Sequence, residues 1–170
     1  MKLIQLGFYF LAVILLLSCS GNDTLDRRVS SYRPLLMTRQ TMEGSFAFLP
    51  PRPLKNMGKM VQHGNYVFIN EPFKGIHVLD MSNTAQPVPK GFLQIPGNID
   101  VAVVEPNILV ADNGVDLLSI DVSNPLAPLL LERKRAVFPE HLPPDVHKVG
   151  GIYSDDSRPK GSVIVGWVKK

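Results

Sequence analysis

Residues 66–87, YVFINEPFKGIHVLDMSNTAQP, recur without a gap as residues 107–128, NILVADNGVDLLSIDVSNPLAP. Each position of the first copy lies 41 residues before its counterpart, so that Pro87 corresponds to Pro128. A repeat of this length is typical of stacked β units such as propeller blades. The sequence therefore predicts two equivalent β units that lie side by side.

Each copy predicts a four-stranded unit, because short apolar runs alternate with turn residues and no long helical period appears in the body of the chain. In the first predicted blade, residues 57–97, the strands are 59–62, 66–70, 76–80 and 91–95. In the second, residues 98–138, they are 100–104, 108–112, 117–121 and 129–137. Asn113-Gly114 is a strong hairpin signal. The predicted fold class is all-β.

Both copies follow their third strand with the pattern Asp-x-Ser-Asn-x-x-x-Pro. Its polar members are Asp80, Ser82 and Asn83 in the first copy and Asp121, Ser123 and Asn124 in the second. These short side chains accept hydrogen bonds from backbone amides just downstream and close Asx or ST turns. Because both copies carry them at the same place, we interpret them as turn formers rather than as acids or metal ligands.

The segments that flank the repeats are less regular. Residues 32–56 predict an extended arm or strands, with a strand at 45–49 and a stop at Pro50-Pro51-Arg52-Pro53. Residues 139–170 predict an irregular segment and a C-terminal hairpin, strands 149–153 and 162–168, which opens a partial third unit. Two blades and a fragment cannot close a propeller. An exposed blade face is therefore expected, to be covered by the arm, the tail, a second copy or a partner protein.

The N-terminal residues have the pattern of a targeting signal. Lys2 precedes an apolar run that ends at Leu16-Leu17-Ser18-Cys19, and this resembles a bacterial lipoprotein signal. The resemblance implies a signal peptide over residues 1–18 and a lipid on Cys19, which attaches the chain to a membrane. A plain signal peptide or a short membrane anchor is the alternative interpretation. Cys19 is the only cysteine, which excludes an internal disulfide.

Residues 19–31 are small, polar and charged, and they predict a flexible tether. Ser20 follows the cysteine where sorting rules place an aspartate for inner-membrane retention, so the resemblance implies the outer membrane and leaves open which side the body faces. Within the tether, Asp23-Thr24-Leu25 resembles the O-glycan acceptor of Bacteroides-like bacteria, and Thr24 is the implied attachment site.

A more specific resemblance lies in the third strands. Ile76-His77-Val78-Leu79-Asp80 and Leu117-Leu118-Ser119-Ile120-Asp121, each followed by x-Ser-Asn, are similar to the LVIVD repeat of bacterial surface and secreted proteins. Residues 32–39, 49–53 and 95–98 also resemble Bacteroidetes lipoproteins of this type. The resemblance implies a propeller-like β fold, here short or truncated and therefore open, and it brings no catalytic residues. Both copies depart from the literal motif at its second position.

Candidate residues for chemistry are few. The histidines His63, His77, His141 and His147 lack the spacing of zinc ligands, and Asp155-Asp156 lacks the further oxygen ligands of a calcium loop. A formal net charge of +3, without a basic stripe, argues against nucleic acid as a partner. We therefore expect no cofactor and no enzymatic activity, but a membrane-anchored binding or scaffold lipoprotein with a protein partner or self-association. The alternatives are a glycan-active or other hydrolase that uses the blade rim, and a truncated product without independent function.

Overall fold

A computed structural model describes residues 30–145 and 158–170. In these ranges the fold is all-β, as predicted, with one short helix. The strands are β1 (Tyr32–Thr38), β2 (Ala47–Leu49), β3 (Met60–His63), β4 (Tyr66–Glu71), β5 (Gly75–Asp80), β6 (Val88–Gln94), β7 (Val101–Glu105), β8 (Ile108–Asn113), β9 (Asp116–Asp121), β10 (Leu129–Lys134) and β11 (Ser162–Lys169), and the helix α1 is Arg39–Gly44.

The two repeats form two antiparallel sheets. Strands β3 to β6 form blade 1, to which β2 adds a fifth strand beside β6, and strands β7 to β10 form blade 2. Strands β3, β5 and β6 each begin 41 residues before β7, β9 and β10. Even the bulge in the last strand is repeated, at Lys90 in β6 and at Leu131 in β10. The predicted pair of four-stranded blades is confirmed.

The inner faces of the two blades share one core. Phe68 and Val78 of blade 1 belong to the same buried cluster as Leu109 and Ile120 of blade 2, and all four are fully buried. Burying one such side chain stabilises the fold by about 1.5–3 kcal/mol, as an upper estimate. Each blade therefore depends on its neighbour for the burial of one face.

The two blades differ in one hairpin. The loop between β4 and β5 has three residues, 72–74, whereas the loop between β8 and β9 has two, 114–115. This shifts the register of β9 by one residue relative to β5, and a one-residue shift turns every side chain to the opposite face of the sheet. Leu118 consequently lies in the core, whereas its repeat counterpart His77 faces the outer side of blade 1.

A third, two-stranded sheet joins the two flanking segments. Strand β1 pairs antiparallel with β11, and α1 packs beside them, with Met42 in a buried cluster with Val163 and Val165. This end sheet approaches the loops of both blades, since a Cβ on Gly114 would lie 3.1 Å from Val163 and a Cβ on Gly166 would lie 3.2 Å from Phe73. The end sheet therefore covers the end of the blades where their β4–β5 and β8–β9 loops lie, which we call the turn end.

Residues 32–56, predicted as an extended arm or strands, contain both strands and irregular structure. Residues 32–38 and 47–49 are strands, and the segment between β2 and β3 carries no regular structure. Helix α1 was not predicted; its N-cap is Thr38, whose side chain accepts a hydrogen bond from the Thr41 amide at 3.1 Å. The predicted strand 162–168 is β11, and its partner is β1. The predicted strand 149–153 lies outside the described residues.

The N-terminal predictions also lie outside the described residues, namely the signal peptide 1–18, Cys19 and Thr24. In the part of the chain that the structure describes, no helix has the length and apolar character needed to cross a membrane.

Candidate functional site

The turn end contains three buried carboxylates. Glu71 is 1% exposed, Asp112 is 6% exposed and Asp116 is fully buried. Glu71 is the last residue of β4 and Asp112 the last but one of β8, at equivalent repeat positions, whereas Asp116 begins β9. Since a buried charge is costly unless it is paired, the partners of each carboxylate decide what it can do.

Glu71 is held by three basic side chains. Lys74 Nζ lies 2.6 Å from Oε1, while Arg52 Nη2 and His77 Nε2 each lie 2.8 Å from Oε2. Burial raises the pKa of a carboxyl group, but these three donors outweigh it and lower the pKa of Glu71 to about 2. The pairing with His77 has the form of an acid–base dyad, and both side chains are buried on the outer side of blade 1.

Arg52 also covers the outer face of blade 1. Its guanidinium lies 3.6 Å from the ring centroid of Phe92, which is fully buried, and His77 meets the same ring edge-on at 4.8 Å between centroids. A cation stacked on an aromatic face is a favourable contact. The segment that follows β2 therefore closes this face, and the Glu71–His77 pair lies beneath it.

Asp112 fixes the linker between the two blades. Its carboxylate accepts hydrogen bonds from the backbone amides of Ile99 at 2.9 Å and Asp100 at 2.7 Å, and from the side-chain amide of Asn98 at 2.9 Å. The Asn70 side-chain amide of blade 1 in turn donates to Asn98. This buried chain of polar groups connects both blades through the linker, and each member specifies the position of the next.

Asp116 joins blade 2 to the end sheet. It accepts hydrogen bonds from Arg133 at 3.0 Å, from Arg39 of α1 at 2.9 Å and from the Ala136 amide at 3.1 Å. Burial raises the pKa of the carboxyl group, but the Ala136 amide and the two guanidinium groups outweigh it, so that the pKa of Asp116 lies below its ordinary value. The Arg133 side chain is only 11% exposed.

A cleft of about 440 Å³ opens on the outer side of blade 2, near the turn end. Its floor is formed by Ala102 and Val110 of the sheet, and residues 138–142 form its other wall. These residues pass over the blade after the amides of Val137 and Phe138 hydrogen-bond to the Val115 carbonyl. The surface of the cleft is mainly apolar, and clefts of this kind are where small ligands or partner side chains bind.

His141 fastens the wall of the cleft to the blades. Its Nε2 lies 2.8 Å from the Gly97 carbonyl and 3.4 Å from Asp112 Oδ2, and Trp167 Nε1 donates to its carbonyl at 3.1 Å. Burial lowers the pKa of an imidazole, but Asp112 and the Gly97 carbonyl outweigh it, so that the pKa of His141 is raised above its ordinary value. The protonated form therefore strengthens this attachment.

Beyond the cleft, the rest of this sheet face is open. We call it, together with the cleft floor, the outer face of blade 2. Its apolar side chains are Ala102, Val104, Ile108, Val110, Leu117, Leu129 and Leu131. Leu129 is 62% exposed, Leu131 58% and Val104 57%. Leu130, between the two leucines, packs on the inner core instead. An exposed apolar sheet face of this kind is a candidate protein-binding surface.

The repeated turn motif forms the same hydrogen bonds in both copies. Asp80 accepts from the Ser82 amide at 2.9 Å and from its hydroxyl at 2.6 Å, and Asn83 accepts from the Ala85 amide at 3.1 Å. In the second copy, Asp121 accepts from Ser123 at 2.7 and 2.6 Å, and Asn124 accepts from the Leu126 amide at 3.1 Å. The motif lies at the end of the blades away from the buried carboxylates.

The LVIVD repeat family model matches residues 60–93 and 98–134, which cover the four strands of each blade. The chain is an LVIVD-repeat protein. No curated protein and no solved structure gives a significant match to the chain.

In this LVIVD-repeat protein, the histidines considered as candidate zinc ligands are dispersed. His63 lies in the β3–β4 hairpin at the end of blade 1 away from Glu71, His77 is buried in the outer layer of blade 1, and His141 lines the cleft. His147, Asp155 and Asp156 lie outside the described residues. Over residues 30–145 and 158–170, no three His, Cys, Asp or Glu side chains are grouped closely enough to hold a metal ion.

Sequence reasoning missed the buried carboxylates of the LVIVD repeats. Glu71 and Asp112 had a signal, because both are acidic at equivalent positions towards the end of an apolar run. Asp116 had no such signal in the sequence, because its repeat counterpart is Gly75, which carries no side chain. Arg52 and Arg39 pair with carboxylates 19 and 77 residues away, and a single sequence does not reveal such pairings.

Proposed function

We propose that this LVIVD-repeat protein is a membrane-anchored, non-enzymatic binding or scaffold lipoprotein of the bacterial cell envelope, which binds a protein partner through the outer face of blade 2. The observation that carries the proposal is the exposure of this apolar face, with Leu129, Leu131 and Val104 each more than half exposed. On blade 1, Arg52 from the segment after β2 covers Phe92 and Glu71 on the corresponding face. Apolar sheet surface exposed in this way is typical of a protein-interaction site.

The partners of the buried acids support a non-enzymatic role. Each of the three carboxylates accepts hydrogen bonds from donors of its own chain, as a structural ion pair does. The Glu71–His77 pair lies beneath Arg52 on blade 1, whereas the cleft lies on the outer side of blade 2. A general acid or base must reach its substrate within hydrogen-bond distance, and this pair is not in the cleft.

The membrane attachment rests on the sequence around Cys19. Lipidation there and a tether over residues 19–31, with Thr24 as a glycan acceptor, would place the blades near the outer membrane. The tether would reach the body beside the cleft wall, because the Ser30 hydroxyl donates to Asp145 at 2.6 Å, three residues after Leu142 of the cleft. The outer face of blade 2 would then lie close to the attachment point.

Two measurements on the full-length protein in bacterial cells test the proposal. Incorporation of an alkyne-labelled fatty acid is expected in the wild type and is expected to be lost in Cys19→Ser. A photo-reactive amino acid at position 104 is expected to give a covalent adduct with a protein, whereas the same group at position 60, which is equally exposed on blade 1, is the matched control. The absence of labelling would refute the anchor, and equal adducts at both positions would refute the binding surface.

A further inference from the structure

The wall of the cleft is a short segment that is held at both ends. Residues 139–142, which we call the strap, carry no regular secondary structure. Before the strap, the Phe138 amide donates to the Val115 carbonyl at 3.0 Å. After it, Asp145 accepts a hydrogen bond from the Ser30 hydroxyl at 2.6 Å, which lowers the pKa of this carboxyl group. Neither end contact therefore changes its charge near neutral pH.

Two side chains attach the middle of the strap. Glu140 accepts hydrogen bonds from Arg158 at 2.9 and 2.6 Å, and a carboxylate and a guanidinium both keep their charge at neutral pH. His141 Nε2 lies 2.8 Å from the Gly97 carbonyl and 3.4 Å from Asp112 Oδ2. Histidine is the side chain that ordinarily changes charge between about pH 5 and 8. Of the strap attachments made by the described residues, the one at His141 is thus the one that responds to protons near neutrality.

The surroundings of His141 favour its protonated form while the strap is attached. The acidic groups that act on the imidazole are Asp112 of β8 and Glu140 of the strap itself. The Gly97 carbonyl faces it from the linker, and the Phe73 ring meets it edge-on with 5.8 Å between centroids. Burial lowers the pKa of His141, but Asp112 and the Gly97 carbonyl outweigh it and raise the pKa above its ordinary value.

Release of the strap would leave Asp112 with its other partners. Its carboxylate also accepts hydrogen bonds from the Ile99 amide at 2.9 Å, the Asp100 amide at 2.7 Å and the Asn98 side chain at 2.9 Å. No uncompensated buried charge is therefore created when His141 moves away. A neutral imidazole keeps one N–H to donate, but it loses the charge attraction to the carboxylate. The attached and released arrangements can therefore both be populated, with a balance that protons shift.

We propose that the protonation of His141 controls the attachment of the strap, so that the cleft is closed on this side at acidic pH and opens as the pH rises. The attachment is strongest below pH 6.5, the ordinary pKa of histidine, and weakens as the pH rises through the raised pKa of His141. An apolar group that binds between the strap and the sheet would bind more tightly at acidic pH, because coupling between two binding events is reciprocal. The proposal does not depend on the identity of the protein partner or on the membrane anchor.

The single tryptophan reports on the strap directly. Trp167 of β11 is 8% exposed, and its Nε1 donates to the His141 carbonyl at 3.1 Å. Quenching by acrylamide, a neutral molecule, is measured on the full-length protein in mild detergent, with fluorescence lifetimes to obtain the bimolecular rate constant. We expect this constant to rise at least about fivefold from about pH 5 to about pH 9, with a midpoint above 6.5. A constant that stays the same across this range would overturn the proposal.

Two variants assign the transition to its residue. His141→Gln keeps an amide that can donate to the Gly97 carbonyl but cannot gain a proton, so its quenching constant should not depend on pH. His63→Phe is the matched control, a histidine in the β3–β4 hairpin, and it should retain the transition. A transition that persists in His141→Gln would overturn the proposal. Should His141→Gln fail to fold, the midpoint is compared with the NMR titration of the His141 ring protons in the wild type, and a midpoint that differs would overturn the proposal as well.

Discussion

Replacement of Asp116 by alanine would show how far the buried charges of the turn end hold the end sheet to blade 2. The carboxylate is fully buried and accepts hydrogen bonds from Arg133, Arg39 and the Ala136 amide. The substitution removes the acceptor and leaves the donors in place. The loss of one partner from a buried ion pair is strongly destabilising because the remaining charge is uncompensated.

The expected loss of unfolding free energy depends on whether each donor can find another acceptor. Arg133 is 11% exposed and keeps one acceptor, the Asn113 side-chain oxygen at 2.6 Å. Arg39 is 34% exposed and can turn towards water. The cost should therefore lie at the lower end of the range for broken buried pairs, about 3 kcal/mol of unfolding free energy. Asp116→Asn retains one acceptor oxygen, and we expect about 1–2 kcal/mol for it.

Urea titration of the full-length protein in mild detergent, followed by tryptophan fluorescence, measures this change, because Trp167 lies in the end sheet. The matched control is Asp121→Ala, an aspartate with similar local hydrogen bonds in an exposed turn, for which we expect a clearly smaller shift of the midpoint. The reasoning is refuted if Asp116→Ala and Asp121→Ala shift the midpoint equally.

The stabilisation by Asp116 should also depend on pH. Since the pKa of Asp116 is below its ordinary value of 3.8, its contribution to the unfolding free energy should be present above that pH and lost as the pH falls below it.

Three further perturbations test other parts of the fold. The pKa of Glu71 is about 2, so its stabilisation is present above pH 4.5 and is lost as the pH falls towards 2; Glu71→Gln should flatten the acid limb of an unfolding curve. The pKa of His141 is raised, so its stabilisation is present below pH 6.5 and is lost as the pH rises through the folded pKa; His141→Phe should remove this dependence. A Cβ at Gly91 would lie 2.1 Å from Phe48, so Gly91→Val should release β2 from β6 and increase amide exchange in β2.

Each of these has an outcome that contradicts it. An acid limb of unchanged slope in Glu71→Gln would show that the charges around Glu71 contribute nothing to stability. A pH dependence near neutrality that persists in His141→Phe would assign it to another group. Unchanged exchange of residues 47–49 in Gly91→Val, with Gly44→Val as the control at an open position, would show that Phe48 can move aside without loss of β2.

Most of what the sequence could predict about the fold came from the 41-residue repeat. A 41-residue offset determines where strands begin, because each copy of a repeated unit needs the same alternation of apolar runs and turns. Observed strand starts at residues 60, 75 and 88 return at 101, 116 and 129. The sequence also predicted an exposed blade face. Two blades cannot close a propeller, and a blade buries its two faces only against neighbours.

The pairings at the turn end could not be predicted, for a physical reason. Whether a side chain faces the core depends on register, and register depends on the length of the hairpin loop. The loops of the two blades differ by one residue, which reverses the orientation of His77 relative to Leu118. The ion pairs of Arg39 and Arg52 depend in addition on where the flanking segments lie, and no local pattern specifies that.

The difference between the two outer faces follows from the segments that cover them rather than from the repeats. Both blades carry a buried carboxylate near the end of their second strand, Glu71 or Asp112, and each carboxylate lies beside a covering segment. On blade 1, Arg52 pairs with Glu71 and stacks on Phe92, so the cover extends over the sheet. On blade 2, His141 attaches its segment only beside Asp112, and the sheet beyond it stays open. Repeats of one plan thus give one outer face that is covered around Glu71 and Phe92 and another that is exposed at Val104, Leu129 and Leu131.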